Sequence, residues 1–269
     1  MKSLRHVAAF AVLACSALSA HAHRPFLLPS STILSGNAPW VSLDAAAASN
    51  VFYFDHMPLK LDQLHIVAPD GSSVAAENPH TGKFRSSFDV HLMQTGSYKL
   101  SLLSEGMFAS YKLDGKPMRW RGPAENLSKD IPANAEDLQV TQRSGRIETF
   151  VTNGKPGGKA LEATEKGLEL IPVSHPNDLF AGEPARFRFL LDGRPAAGMT
   201  VTVIAGGIRY RQNLDEKTYT TDKDGQVTIN WPAAGMYWLE ADLKDTQQLT
   251  PPATARVASY AATLEVLPQ

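Results

Sequence analysis

Cysteine is almost missing from this chain: of 269 residues, Cys15 is the only one. That excludes a disulfide framework within the chain, and because Cys15 lies in an expected leader, it leaves no thiolate metal site or thiol nucleophile for the mature chain. An excess of one charge is missing too. Lys and Arg number 26, Asp and Glu 27, and the formal net charge is −1. Without a basic block there is no electrostatic case for nucleic acid. Long apolar runs are lacking: Val7 to Leu18 falls short of the roughly 20 residues a membrane helix needs, and no later segment reaches that length. No dozen-residue stretch keeps a 3.6-residue apolar period, so long helices are not expected. Gly-x-Ser-x-Gly, His-Glu-x-x-His and phosphate-loop motifs are absent. Asp222-Lys223-Asp224-Gly225 lacks the later carboxylates of a calcium loop and reads as a hairpin turn. The methionines are scattered, unlike those of a Met-rich Cu(I) carrier.

What is present begins with an export signal. Lys2 and Arg5 precede the apolar run, and Ala20-His21-Ala22 offers small residues at −3 and −1 of a cleavage site. Residues 1–22 therefore read as a signal peptide, with a periplasmic destination. Removing them takes away Lys2, Arg5 and Cys15, leaving a more acidic chain without cysteine.

The remainder is written in strands. Trp40 to Leu43, Val51 to Phe54, Leu64 to Val67 and Tyr98 to Leu102 are short β-branched or aromatic runs. Asp70-Gly71, Thr95-Gly96 and Asp114-Gly115 punctuate them as turns. After the glycine-broken stretch from Arg143 to Lys166, a second series follows: Leu168 to Pro172, Arg186 to Leu190, Met199 to Ile204, Gln226 to Trp231, Gly235 to Ala241 and Ala262 to Val266. The expected fold is all-β: two tandem antiparallel β-sandwiches, Ig-like or prealbumin-like, over residues 23–166 and 167–269. Two echoes link the halves. Gly96-Ser97-Tyr98 matches Gly235-Met236-Tyr237, as in strands that return through a tyrosine corner, and Leu113-Asp114-Gly115 matches Leu191-Asp192-Gly193. Shared ancestry of two sandwiches and convergent turn chemistry both explain them.

The chemistry-bearing feature is the mature N-terminus. Cleavage after Ala22 makes His23 the first residue, whose α-amine and ring Nδ1 can chelate one ion together. A second histidine would complete a T-shaped three-nitrogen site suited to Cu(II) or Ni(II). Cleavage after Ala20 would instead give His21-Ala22-His23, a start that holds the same ions in a square plane. His56 is the favoured partner: it ends an aromatic run beside Asp55, and Pro58 bars a continued central strand. His91, sharing a strand face with Asp89, is a further candidate ligand. The candidate metal set is thus His23, His56, His91 and Asp55. His65, His80 and His175 read as a polar-face residue, a turn residue and a loop residue.

Three stretches, Ala20 to Pro29, Glu169 to Leu179 and Trp231 to Leu239, carry a resemblance to a NikM-like group of bacterial periplasmic proteins. That group is a domain-of-unknown-function family related to nickel and cobalt uptake components. The resemblance implies a secreted β-sandwich protein handling divalent transition metals (Cu, Ni or Co) together with a membrane uptake system. Better-studied nickel-uptake relatives carry an N-terminal histidine motif in a membrane-anchored chain; their transmembrane segments have no counterpart here. Two other readings stay open: a metal-free sandwich module that binds a protein or glycan through its loops, and a histidine-brace copper oxidase.

Overall fold

The computed structural model describes residues 23–269. The leader reading of residues 1–22, with Cys15, lies outside the described residues. The fold is all-β, built of stacked, largely antiparallel sheets.

A ten-stranded sheet runs through the molecule. Its central strands are long: Gly96–Leu113, Glu136–Asn153, Ala255–Val266 and Gly235–Asp245. Glu136–Asn153 pairs antiparallel with Gly96–Leu113 on one side and parallel with Ala255–Val266 on the other. That parallel pair joins strands from the two halves of the sequence into one sheet.

Two smaller sheets pack on it. The first contains Arg24–Pro29, Trp40–Ala48, Ser86–His91 and Glu77–Thr81. Its Leu27, Leu43 and Phe88 meet Ile66, Tyr98 and Leu100 in one core. The second contains Leu168–Pro172, Pro184–Leu191 and Gln226–Asn230. Its Phe187 and Phe189 meet Leu239, Tyr260 and Leu264 in another. Alternation explains the layering: in Gly96–Leu113, Tyr98, Leu100 and Leu102 enter the first core, and Lys99 and Ser101 point to the opposite face.

Both sequence echoes have the same geometry in each half. The Tyr98 hydroxyl donates to the Gln94 carbonyl at 3.2 Å, and the Tyr237 hydroxyl to the Ala233 carbonyl at 2.7 Å, each four residues upstream. Asp114-Gly115 and Asp192-Gly193 each place two consecutive residues at positive φ, as a two-residue type I′ hairpin requires.

One expected strand is absent. Val51 to Phe54 forms a turn rather than a strand, with Phe52 at φ 63°. Its apolar side chains are explained by a third cluster, where Val51, Phe52 and Phe54 pack with Phe26, Ile204 and Trp238. The run is hydrophobic because a buried turn fills the seam between sheets, and period-2 reasoning cannot separate that from a buried strand. The stretch from Arg143 is also more regular than its glycines suggested, since one strand passes unbroken through Gly145 to Asn153.

Candidate metal site at the strand end

The strand Trp40–Ala48 lies between two neighbours. Arg24 and Pro25 pair with Ala48 and Ala47 on one side, and Met57 and Pro58 with Ala47 and Ala46 on the other. This register sets the residue before Arg24 and the residue before Met57 at the same end of the central strand. Those residues are His23 and His56. Their rings reach over the strand end and stack, with centroids 3.3 Å apart and planes 6° from parallel. Both side chains are exposed.

The backbone beneath them is held firmly. Ser49 serves both flanks: its carbonyl accepts from Arg24 Nη1 at 2.7 Å, and its N–H donates to Asp55 Oδ1 at 2.9 Å. Pro25 is fixed from the other direction, its carbonyl accepting from the indole N–H of buried Trp238 at 2.8 Å. The Arg24 guanidinium lies over the Trp238 ring, 5.8 Å from its centroid. Phe54 packs on Phe26 at 5.8 Å and beneath Arg85 at 4.7 Å. Next to the pair, Asn50, Tyr53, Asp55 and Arg209 line a cleft of about 260 Å³. Two exposed, stacked imidazoles are thus presented from a hydrogen-bonded strand end.

The other candidates are distributed differently. One Asp55 oxygen is engaged by the Ser49 amide, so this carboxylate braces the loop carrying His56. His91 pairs with Trp40, at the far end of the same nine-residue strand, about 26 Å from the histidine pair at ~3.3 Å per residue. There it stacks on Trp40 at 4.2 Å, and its Nε2 lies 3.0 Å from the Ala38 carbonyl. The fold therefore brings His23 and His56 together and leaves His91 apart from them. Among the described residues, no group of three or more His, Cys, Asp or Glu side chains is arranged to hold an ion.

Two of the remaining histidines have unexpected surroundings. His80 sits in the strand Glu77–Thr81 rather than a turn, and is exposed. His175 is in a loop but half-buried and fully engaged. Its Nδ1 accepts from the Asn177 N–H at 3.1 Å, which leaves Nε2 to donate to Ser97 Oγ at 2.8 Å. Ser97 in turn contacts Thr152 Oγ1 at 2.9 Å, and Thr152 donates to Asn177 Oδ1 at 2.9 Å. Burial pushes His175 below the ordinary imidazole range, against a smaller pull from Asp178. No sequence motif marks this network; the chain supplies its members from positions up to 80 residues apart.

Sequence reasoning also missed a cleft of about 600 Å³ on the opposite side of the ten-stranded sheet. Lys99, Arg146 and Arg256 line it, and each is buried. Arg146 Nη1 pairs with Glu148 Oε1 at 3.1 Å, and Glu148 also accepts from Ser101 at 2.7 Å and Tyr260 at 2.8 Å. Burial, then the Glu148 charge, raise the Tyr260 phenol well above its usual range, so it stays a donor. The signal for this site was charge placed in strands at alternate positions: Lys99 and Ser101, then Arg146 and Glu148. Such a pattern reads as a solvated face until the segment around residues 157–168 is known to cover it.

No curated protein matches the chain in sequence. Among solved structures, the D0-D1 domain of intimin is similar at 11% identity, with 90% of this chain and 97% of that one covered and a TM-score of 0.23. A D1-D4 ectodomain fragment of ICAM-5 is similar at 11% identity, covering 91% and 51%, with a TM-score of 0.21. The human OSCAR ligand-binding domain is similar at 13% identity, covering 91% and 100%, with a TM-score of 0.20. Overlaps at these TM-scores carry no argument about function. The family described as "Domain of unknown function (DUF4198)" matches residues 20–245, and the chain belongs to it.

Proposed function

We propose that this is a periplasmic protein that binds one divalent transition-metal ion, Cu(II), Ni(II) or Co(II), through His23 and His56. The observation that carries this reading is the contact between the two rings, whose centroids are 3.3 Å apart. Two nitrogens on one ion lie at most about 4 Å apart, because each metal–nitrogen bond is about 2 Å long. The ring centroids stand within that span, and the stacked rings must turn for their lone pairs to meet on one ion. Both are exposed, so rotation about each Cβ–Cγ bond can aim one in-plane lone pair per ring at a shared point. Removal of the leader after Ala22 would free the His23 α-amine as the third nitrogen, with open positions for water or an exchanging ligand. The relation to nickel and cobalt uptake implied by the sequence resemblance is part of this proposal: the protein would buffer the ion or pass it to a membrane uptake system.

The arrangement suits an ion that must be captured and released. Its ligands sit at the surface, and their backbone is anchored by Ser49, Asp55 and Trp238. Calorimetric titration of Cu(II), Ni(II) or Co(II) into the exported protein should give one-to-one binding. Changing either His23 or His56 to Ala should weaken it by more than the roughly 100-fold that losing an outer-shell partner can cost. Unchanged affinity in both variants would remove the reading.

A further inference from the structure

The cleft on the other side of the sheet holds a buried lysine that, among the described residues, no carboxylate pairs with. Arg146 has Glu148, and Arg256 has Asp192 at 2.5 Å. Burial works against the Asp192 charge, but Arg256 and the Gly167 amide outweigh it and hold the carboxyl below its ordinary range. Glu169, buried behind the wall, is saturated by the Thr164 amide and hydroxyl and the Glu165 amide, all within 2.9 Å. These acids are taken. Glu105 and Lys166, both exposed, also line the cleft, and Lys99 is the buried cation that has no carboxylate partner among the described residues. It is 5% exposed, and among the described residues its hydrogen-bond partner is the Glu162 carbonyl at 3.4 Å.

A buried ammonium with one long contact to a neutral carbonyl is costly, because burial of a charge is tolerated when the charge is paired and hydrogen-bonded. Two more donors of the lining are buried without partners: Arg256 Nε and Ser144 Oγ. Gly145 lies between the serines of the floor. A Cβ there would come within 2.7 Å of Ser104 Oγ and 3.3 Å of Ser259 Oγ, so the glycine keeps this floor open. The volume, about 600 Å³, lies in the range of small-molecule sites.

We propose that this cleft binds a small organic oxyanion, with a carboxylate or phosphate group taking Lys99 as its counter-ion. The Arg256 Nε–H and the Ser144 hydroxyl supply further hydrogen bonds, and exposed Lys166 at the rim adds attraction at the entrance. The ligand completes the charge pairing that the protein leaves open. This site is independent of the histidine pair, and loss of metal binding would leave it untouched.

The test is thermal unfolding of the intact exported protein titrated with citrate, with inorganic phosphate, with neutral glucose, and with sodium chloride at matched ionic strength. Citrate or phosphate should raise the midpoint saturably, as a ligand of the native state does, and glucose and chloride should not. The stronger of the two anions identifies the preferred headgroup. Lys99→Met keeps the aliphatic stem and removes the charge. It should raise the ligand-free midpoint and weaken the anion at least about tenfold, the cost of one charged hydrogen bond. A purely structural lysine would instead lower the midpoint when lost. Lys166→Ala, at the exposed rim, should weaken the anion by a smaller factor without disturbing the fold. The proposal is overturned if neither anion exceeds the chloride control, or if both variants respond as the parent does.

Discussion

His23 and His56 are exposed side chains hung on an anchored strand end, whereas Lys99, Arg146, Glu148 and Arg256 are buried charged groups along a cleft. The first arrangement costs little stability because its side chains stay in water. The second takes ions out of water, and must recover that cost through pairing and hydrogen bonds. A site of the first kind can be deleted with small effect on folding. A site of the second kind is part of the fold, and its members are coupled.

The sharpest way to break this contrast is Glu148→Ala. The side chain is 1% exposed and serves Arg146, Ser101 and Tyr260 together. Its loss leaves Arg146 buried without its counter-ion and should cost roughly 3–5 kcal/mol in urea unfolding. His23→Ala in the same assay should fall within about 0.5 kcal/mol of the parent, as surface substitutions do.

The His175 network extends the contrast to pH. The fold holds this imidazole neutral, because Nδ1 must accept from Asn177. Its value is lowered from the ordinary 6.5. Stability from this group is therefore complete above about pH 6.5 and is lost as pH falls below it. Denaturation midpoints taken between pH 7.5 and pH 5 should decline in the parent and decline less in His175→Gln, a variant that should itself cost about 1–2 kcal/mol at neutral pH.

Glu240 has the opposite sign. Burial, reinforced by Asp242 and opposed by Arg24, pushes its carboxyl up to about 7. A raised acid favours the folded state when protonated, so this contribution is present below about pH 4.5 and is lost as pH rises through 7. Glu240→Gln should stabilise the protein at pH 8 by about 1 kcal/mol, since solvent reaches part of the group, and should change little at pH 4.5. No gain at pH 8 would mean that the carboxylate is better solvated than its position beside Trp238 suggests.

A further effect lies under the histidine pair. Trp238→Phe removes the indole donor to the Pro25 carbonyl, worth about 1 kcal/mol, and adds the cost of the buried ring volume lost. If that hydrogen bond positions His23, metal affinity should fall several-fold in the same variant. Unaltered affinity would assign the positioning to Arg24 and Ser49 instead.

The sequence carried the class of fold and the identity of both histidines in the pair, because alternating runs, Asp-Gly turns and a histidine beside an expected cleavage site are local signals. It did not carry their meeting. That depends on Trp40–Ala48 being flanked by Arg24–Pro29 on one side and Met57–Pro58 on the other, a pairing between segments about 30 residues apart. His91, a further candidate behind His56 because it shares a strand face with Asp89, is separated from the pair by register. The cleft was hidden for another reason. Ser97, Lys99 and Ser101 have the polar pattern of a solvated face, yet the segment around residues 157–168 covers it. Periodicity reports two faces of a strand, and it is silent on what lies above each.

The central claim is met most directly by the native mass of the purified protein, measured before and after one equivalent of Cu(II) or Ni(II). The account predicts a chain that begins at His23 and retains one ion, with retention lost in His23→Ala and in His56→Ala. A chain that begins at His23 and retains no ion under these conditions would contradict it.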